Sequence, residues 1–132
     1  MTKIFLSYSS KDKDSVRKFV KDLESNDFEV WFDEDKIGIG DEIITKIQEG
    51  LQETNYLIIW LTKYSVESGW VRREWQSKLN EEIYLNKTLV LPILVEDCNI
   101  PSFLAAKKHA DFREDYEAGF KNLIEDLKKK LN

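Results

Sequence analysis

The run Tyr56–Leu61 constrains the fold more than any other part of the sequence, because all six of its residues are apolar or aromatic. The run is too short to cross a membrane as a helix, and it lacks the alternating polar positions of a strand with one solvated face. Such a run is typical of a strand buried on both faces of a parallel sheet. A chain of 132 residues is long enough for one domain of this kind and too short for two. We therefore predict a single α/β domain over residues 1–132, which can itself be a fragment of a longer protein.

Strand and helix patterns alternate through the rest of the chain. Strands are predicted at Ile4–Tyr8, Phe28–Phe32, Tyr56–Leu61, Thr88–Val95 and around His109–Phe112. Helices are predicted from a cap at Ser10 or Asp12 to Asn26, after a cap at Asp41, after a cap at Ser65 or Ser68, and at the end of the chain. Five strands separated by helices favour a parallel sheet with right-handed crossovers and strand order 2-1-3-4-5.

Apolar stripes indicate which helix faces should lie against the sheet. The helix after Asp41 should bury Ile43, Ile44, Ile47 and Leu51, and the next helix should bury Val71, Trp75, Leu79 and Ile83. The final helix carries its apolar residues between Tyr116 and Leu131. Pro92 indicates that the fourth strand ends, bulges or lies near an edge of the sheet, since proline cannot donate to a neighbouring strand.

The predicted strand order creates a crevice between strands one and three, where open α/β sheets bind their ligands. Ser7–Ser10 follow strand one at this edge, and the irregular loop Asp33–Gly40 lies beside it. Trp70 and Glu74 lie one turn apart near the start of the helix after strand three, so an indole and a carboxylate should stand side by side there. Glu74 is therefore the candidate carboxylate of the crevice. The alternative is that both residues are ordinary, because most helical glutamates are solvated and most helical tryptophans belong to the core.

Histidine and cysteine are too few for several common kinds of site. His109 is the only histidine, so neither a histidine-containing metal site nor a catalytic triad is predicted, and we expect no metal. Cys98 is the only cysteine, which excludes an internal disulfide and fits a reducing compartment. The first residues lead directly into a strand rather than a signal peptide, and no apolar run approaches a membrane span. We therefore expect a cytoplasmic protein that makes no membrane contact.

Charge and loop composition argue against other ligand classes. The net charge is −5, and the basic run Lys128–Lys130 suits the negative end of a helix dipole, so nucleic-acid binding is not expected. The turn after strand one has no glycine, and Gly38-Ile39-Gly40 follows strand two without a third glycine. Nucleoside triphosphate hydrolysis and a dinucleotide fingerprint of Rossmann type are therefore not expected. A phosphoacceptor domain is not expected either, because strand three ends in Leu61-Thr62 rather than in an aspartate.

A single strong carboxylate candidate limits the chemistry of the crevice. Glycoside hydrolysis usually needs two carboxylates, because the leaving oxygen must be protonated. The nicotinamide of NAD instead carries a positive charge and leaves as a neutral molecule. Glu74 alone could then hold the ribose hydroxyls and stabilise the ribosyl cation. Trp70 and Tyr8 could hold the flat bases and the cationic ring, with NAD as substrate rather than cofactor.

Three segments of the sequence resemble the motifs of one protein family. Phe5–Ser10, Asp33–Asp41 and Trp70-x-x-x-Glu74 are similar to the first box, the BB loop and the helix motif of TIR (Toll/interleukin-1 receptor) domains, particularly bacterial ones. The loop carries Ile39-Gly40 where Toll-receptor adaptors have Pro-Gly, and the Phe-Trp third box is not found, only Asp111-Phe112. Both departures argue against a Toll-adaptor role more than against an enzymatic one.

The resemblance implies a flavodoxin-like three-layer fold. As in many bacterial, plant and axonal members of the family, it also implies cleavage of NAD to nicotinamide and ADP-ribose or a cyclic form. It aligns Glu74 with the catalytic glutamate. It implies that Ser9 and Ser10 lie near the phosphates, Trp31 and Asp33 near the ribose, and Lys36 over the ligand. Asp33 could instead cap the loop, Lys36 could be solvated and Trp31 could be core.

The loop Ile37–Gly40 is predicted to mediate self-association. Gly38 and Gly40 alternate with Ile37 and Ile39, and two apolar side chains on a glycine-hinged loop are costly to leave in water. The isoleucines could instead fold back on the second helix. The resemblance implies homotypic TIR–TIR association in which the loop packs against a neighbouring domain and two protomers form the active crevice.

Two other functions are compatible with the sequence. A TIR module without chemistry could act as a scaffold or interfere with host TIR signalling. A nucleoside deoxyribosyltransferase shares the architecture and also relies on a glutamate. The leading hypothesis is an NAD glycohydrolase that acts in defence or self-intoxication signalling. Release of nicotinamide from NAD would separate it from both alternatives.

Overall fold

A five-stranded parallel sheet is the centre of the fold, and its order β2-β1-β3-β4-β5 confirms the predicted topology. The computed structural model describes residues 2–131, apart from the side chains of residues 34 and 35. The strands are β1 (Lys3–Ser7), β2 (Glu29–Trp31), β3 (Tyr56–Leu61), β4 (Val90–Leu94) and β5 (Ala110–Asp111). The bounds of β3 are as predicted, whereas β2, β4 and β5 are shorter than predicted.

Helices cover both faces of the sheet. They are α1 (Lys13–Ser25), α2 (Asp33–Lys36), α3 (Ile43–Glu53), α4 (Gly69–Leu85), α5 (Ser102–Ala105) and α6 (Tyr116–Leu131). One core cluster joins Ile4 and Leu6 of β1 to the apolar faces of α1 and α6. A second cluster joins Phe5 of β1 to the apolar faces of α3 and α4. The sheet is thus the middle of three layers, as expected of a flavodoxin-like fold.

The starts of α1 and α4 show how serine residues begin helices after parallel strands. Ser68 caps α4, as one of the two predicted alternatives, and its hydroxyl accepts a hydrogen bond from the backbone three residues later at 3.3 Å. Asp12, one of the two predicted caps of the first helix, occupies the N-cap position of α1, but its side chain makes no capping hydrogen bond. The carboxylate of Asp12 instead accepts a hydrogen bond from Thr62 at 2.6 Å. Ser9 caps the short 3-10 turn that leads into α1.

The face of α4 that meets the sheet is narrower than the predicted stripe. Val71 and Trp75 are buried, whereas Ile83 is 72% exposed. Each step of four residues rotates about 40° around the helix axis, so the last member of the stripe has turned away from the sheet. The predicted burial of Ile83 is therefore wrong.

α3 contacts the sheet mainly through its C-terminal half. A Cβ atom at Gly50 would lie 2.4 Å from Cε2 of Trp31, so the glycine allows the helix to approach the indole closely. Ile47 is partly buried beyond this contact, but Ile43 and Ile44 are 54% and 52% exposed. The predicted burial of Ile43 and Ile44 is wrong because the closest approach of α3 to the sheet lies further along the helix.

Glu82 near the end of α4 ties three parts of the chain together. Its Oε2 accepts hydrogen bonds from the backbone N–H groups of Leu89 and Val90 at 2.8 and 2.9 Å. Its Oε1 accepts a hydrogen bond from Nζ of Lys107 at 2.7 Å. The carboxylate therefore joins α4 to the start of β4 and to the segment after α5.

Pro92 lies beside the short edge strand β5, which is one of the three alternatives predicted for it. β5 pairs only with the last two residues of β4. Because Phe112 N donates to Leu94 O, the alternate residues Pro92 and Val90 direct their backbone groups to the same side as Leu94. Proline has no N–H group, and the N–H group of Val90 donates a hydrogen bond to Glu82. This side of β4 therefore has no free N–H donor from Val90 to Pro92.

Candidate active site

Ser7 is the last residue of β1, and its side chain faces α4. Side chains alternate along a strand, so Ser7 lies on the same side of the sheet as Phe5, which packs in the core beneath α3 and α4. Ser7 is fully buried, and its Oγ donates a hydrogen bond to Oε1 of Glu74 at 2.7 Å. No ligand-binding role was predicted for Ser7 from the sequence, although the alternation could have indicated that it faces inward.

α4 carries Glu74 inward to the edge of the sheet. Val71 and Trp75 are buried and hold the first turns of α4 against the sheet. Glu74 lies between them in sequence and is partly buried, whereas Trp70, one turn earlier, is 49% exposed. The alternative that Glu74 is an ordinary solvated glutamate does not match this partly buried environment. The carboxylate of Glu74 therefore faces inward and reaches the last residue of β1.

The carboxyl group of Glu74 holds its proton unusually strongly. Burial raises the pKa of Glu74 to about 7, although the hydrogen bond from Ser7 acts in the opposite direction. The negative charge of Asp33 raises the pKa of Glu74 further. A carboxyl group with this pKa is present in both protonation states at neutral pH. It can therefore hold a negative charge opposite a cation or exchange a proton.

Asp33 is a second carboxylate of the same site, at the start of α2. The phenol of Tyr8, just after β1, donates a hydrogen bond to Oδ1 of Asp33. The ring of Tyr8 stacks on Phe32, with ring centroids 5.3 Å apart. The structure thus brings together three predicted residues, Tyr8, Asp33 and Glu74, through their positions at the ends of β1 and β2 and on α4.

Trp70 lies half exposed at the start of α4. The guanidinium carbon of Arg73 is 5.7 Å from the centroid of the Trp70 ring system. A half-exposed indole next to the turn that carries Glu74 offers an aromatic surface to a flat ligand. Arg73 adds a positive charge beside it, and no role was predicted for this residue from the sequence.

Trp31 and Lys36 do not join the Ser7–Glu74 contact. Trp31 is only 7% exposed and stacks on Phe5 with centroids 4.7 Å apart, so the alternative that Trp31 belongs to the core matches the structure. Lys36 ends α2 and is exposed. Both residues line a groove of about 240 Å³ between β2 and α3. Neither Ser7 nor Glu74 lines that groove.

Ser9 and Ser10 lie on the turn that follows β1. Ser9 is partly buried, and its hydroxyl accepts a hydrogen bond from the N–H of Lys11 at 3.3 Å. Ser10 is exposed on the first residue of the turn. Within the described residues neither serine contacts Glu74, so their predicted binding of phosphates remains a prediction.

The loop after α2 exposes one of its two isoleucines fully. Ile37 packs against the core cluster beneath α3 and α4, but Ile39 is 109% exposed. Asp41 is not the cap of α3, which begins at Ile43. The carboxylate of Asp41 instead accepts a hydrogen bond from Gly38 N at 2.9 Å and closes the loop. Gly40 has a φ of +89°, which residues with a side chain rarely adopt, so the loop needs a glycine there.

The described part of the chain gives no indication of a metal site. Among the side chains that the structure describes, which leave out those of residues 34 and 35, no three His, Cys, Asp or Glu residues are grouped so that they could hold a metal ion. Among residues 2–131, no helix combines the length and apolarity needed to cross a bilayer. Cys98 is a partly buried free thiol, and burial raises its pKa, which disfavours the reactive thiolate.

Comparison with known proteins places these features in a family context. A family model described as TIR domain matches residues 4–124. The 2' cyclic ADP-D-ribose synthase BtTIR of Bacteroides thetaiotaomicron is 38% identical over 90 residues, which are 67% of this chain and 31% of that protein. The NAD(+) hydrolase TcpC of Escherichia coli is 32% identical over 90 residues, which are 67% of this chain and 29% of that protein. The chain thus spans less than a third of the length of these curated relatives.

A solved structure shares the whole fold. The crystal structure of the TIR domain of the Toll-related receptor TRR-2 from Hydra magnipapillata matches with a TM-score of 0.81. The match covers 95% of this chain and 97% of that one at 17% sequence identity. This likeness supports the fold alone.

Proposed function

We propose that this chain, because it belongs to the TIR domain family, cleaves NAD+ between its nicotinamide and ribose groups. The products are nicotinamide and ADP-ribose or a cyclic ADP-ribose. The relatives described above are a 2' cyclic ADP-D-ribose synthase and an NAD(+) hydrolase, which supports this class of reaction. In keeping with the resemblance, we place the activity in defence or cell-death signalling.

The single observation that carries the proposal is the carboxylate of Glu74. It is partly buried, it accepts a hydrogen bond from Ser7 at 2.7 Å, and its pKa is raised to about 7. A carboxylate that has lost part of its water gains more from an approaching cation than a solvated one. Glu74 is therefore suited to stabilise the positive charge that develops on ribose as nicotinamide leaves.

The reaction needs no acid to assist the leaving group. The bond between ribose C1′ and the pyridinium nitrogen breaks, and its electron pair neutralises the nitrogen. In hydrolysis, C1′ then takes the oxygen of water and the water proton passes to solvent. In cyclisation, C1′ takes a nucleophilic atom of the same ADP-ribose unit, which loses its own proton. Glu74 in its ionised form faces the ribosyl cation in both routes.

The test is to incubate the purified protein with NAD+ and to measure released nicotinamide by chromatography. Nicotinamide should appear together with ADP-ribose or a cyclic product in equal amounts. A nucleoside deoxyribosyltransferase would leave NAD+ intact and exchange bases on deoxynucleosides. Intact NAD+ at high protein concentration would contradict the proposal.

The catalytic efficiency should rise with pH around neutrality. Because the ionised form of Glu74 is the active one and its pKa is about 7, kcat/KM should increase about tenfold per pH unit well below that value and level off above it. The measurement is the initial rate of nicotinamide release at low NAD+ from pH 5.5 to 9. A profile that falls as pH rises through 7 would mean that protonated Glu74 is the active form.

We further propose that the domain is active when it associates with itself. Ile39, Ile43 and Ile44 are 109%, 54% and 52% exposed, and they lie on the loop after α2 and on the first turn of α3. Apolar side chains grouped in this way are stabilised when another surface covers them. We refer to these three residues as the isoleucine surface. A partner copy of the domain is the occupant that the resemblance supports.

Replacement of Ile39 with Asp should suppress both association and turnover. The charge would have to be buried in the contact, whereas the fully exposed side chain contributes little to the folded monomer. The measurements are sedimentation velocity and the rate per molecule across a hundredfold dilution series. In the wild-type protein the rate per molecule should fall on dilution, as mass action requires.

Ile83→Asp is the matched control for the isoleucine surface. Ile83 is also an exposed isoleucine, at 72%, but it lies near the C-terminal end of α4 and does not belong to the isoleucine surface. This variant should associate and turn over NAD+ as the wild type does. A rate per molecule that stays constant on dilution, together with full activity of Ile39→Asp, would contradict the self-association proposal. Association without any nicotinamide release would instead favour an interaction module.

A further inference from the structure

The hydrogen bond between Ser7 and Glu74 does more than fill a buried space. We propose that Ser7 is a positioning residue that fixes Oε1 of Glu74 and so directs Oε2 to the ribose of the substrate. The inference rests on the proposed function for the role of Oε2, whereas the link between the two side chains can be tested without substrate.

The position of Ser7 makes its hydroxyl a rigid donor. Ser7 is fully buried and is paired with Ile59 of the neighbouring strand, so its backbone is held by the sheet. A short side chain on a central strand has few alternative positions for its hydroxyl. The 2.7 Å distance to Oε1 of Glu74 is that of a strong hydrogen bond to a carboxylate.

No other described side chain shares this task. Oε1 of Glu74 accepts its hydrogen bond from Ser7, and none of the described side chains, which leave out those of residues 34 and 35, donates a hydrogen bond to Oε2. Asp33 is the charged group that acts on Glu74 from the segment after β2, and it repels rather than holds the carboxylate. From α4 itself, Lys78 lies one turn further on, but its ammonium group donates to the carbonyls of Leu51 and Thr54 at 2.8 and 3.0 Å.

The division of the two carboxylate oxygens has a consequence for the reaction. A hydrogen bond to the charged form favours ionisation, so Ser7 keeps Glu74 negative at a lower pH than burial alone would allow. With Oε1 engaged, the lone pairs of Oε2 remain for a ribose hydroxyl or for the developing cation. Ser7 therefore acts through Glu74 and does not touch the substrate.

The test is to titrate the side-chain carboxyl carbon of Glu74 by NMR in the wild type and in Ser7→Ala, without NAD+. The Glu74 signal is assigned by its absence from the Glu74→Gln spectrum. A lost hydrogen bond to a charged group should raise the Glu74 midpoint by about 1 to 2 pH units. The kcat/KM for NAD+ at pH 7 should then fall by roughly 5- to 50-fold, with a smaller loss at pH 9, where at least about half of Glu74 is again ionised.

Two further variants make the outcome decisive. Ser77→Ala removes an exposed serine of α4 and should leave the Glu74 midpoint and the rate unchanged. Ser7→Thr keeps the hydroxyl and should retain the wild-type midpoint. If Ser7→Ala does not fold, Ser7→Thr takes its place, and a shift of about 1 pH unit or more in the Glu74 midpoint of Ser7→Thr would overturn the proposal. An unchanged midpoint in folded Ser7→Ala would overturn it as well. If neither the wild type nor any variant releases nicotinamide but the Glu74 midpoint still moves in Ser7→Ala, the proposed function fails while the link from Ser7 to Glu74 stands.

Discussion

Replacement of Glu74 with Gln should reduce nicotinamide release by a factor on the order of 10² or more. The amide keeps the size of the side chain and can still contact Ser7, but it has no negative charge to place against the ribosyl cation. The charge of Asp33 cannot substitute for it, because that carboxylate is held by the phenol of Tyr8. The loss should appear mainly in kcat, since the interaction strengthens as the bond breaks.

The measurement is steady-state nicotinamide release at pH 8, where Glu74 of the wild type is mostly ionised. Glu24→Gln is the matched control, because Glu24 is an exposed glutamate on α1 and its loss should leave the rate unchanged. The circular dichroism spectrum of each variant verifies the fold. Near-normal turnover by a folded Glu74→Gln variant would remove Glu74 from the mechanism.

The same replacement should make the protein more stable at pH 8. The pKa of Glu74 is raised from 4.5 to about 7 in the folded state, so the folded chain holds this proton over a range in which the unfolded chain has lost it. The stability linked to Glu74 is therefore full below about pH 4.5 and is lost as pH rises through 7. The wild type should lose up to about 3 kcal/mol from this residue across that range, and Glu74→Gln should not.

Urea unfolding of both proteins at pH 5 and pH 8 measures this difference. Because all other groups titrate alike in the two proteins, the change in the difference between them isolates Glu74. The stability advantage of Glu74→Gln should be much larger at pH 8 than at pH 5, and Glu24→Gln should show no such change. An advantage that is equal at the two pH values would mean that Glu74 has an ordinary pKa in the folded protein.

The topology could be predicted because it depends on local patterns. Tyr56–Leu61 is apolar throughout, and a strand buried on both faces must lie inside a parallel sheet. β5 was harder to place, since a strand of two residues carries little pattern of its own and depends on pairing with β4. The error at Ile83 came from a spacing of four residues, which follows a helix for two turns and then leaves its buried face.

The site could be predicted only in part. The positions of Tyr8, Asp33 and Glu74 at one edge follow from the strand order, and the structure brings their side chains together. The inward turn of Glu74 depends on the burial of Val71 and Trp75 on either side of it, which the sequence expresses only as an apolar stripe. The partnership of Glu74 with a buried hydroxyl 67 residues earlier has no local signal at all.

The lack of free N–H donors from Val90 to Pro92 on β4 has a consequence for how copies of this domain can assemble. Strands that expose free N–H groups can recruit further strands into continuous ladders, which are very slow to come apart. Glu82 engages the N–H group of Val90 and Pro92 has none, so this part of β4 offers no N–H donor to a strand of another copy. Assemblies formed through side chains can be dismantled when protein or ligand becomes scarce. For the proposed cleavage of NAD+, dissociation of such an assembly would stop the reaction.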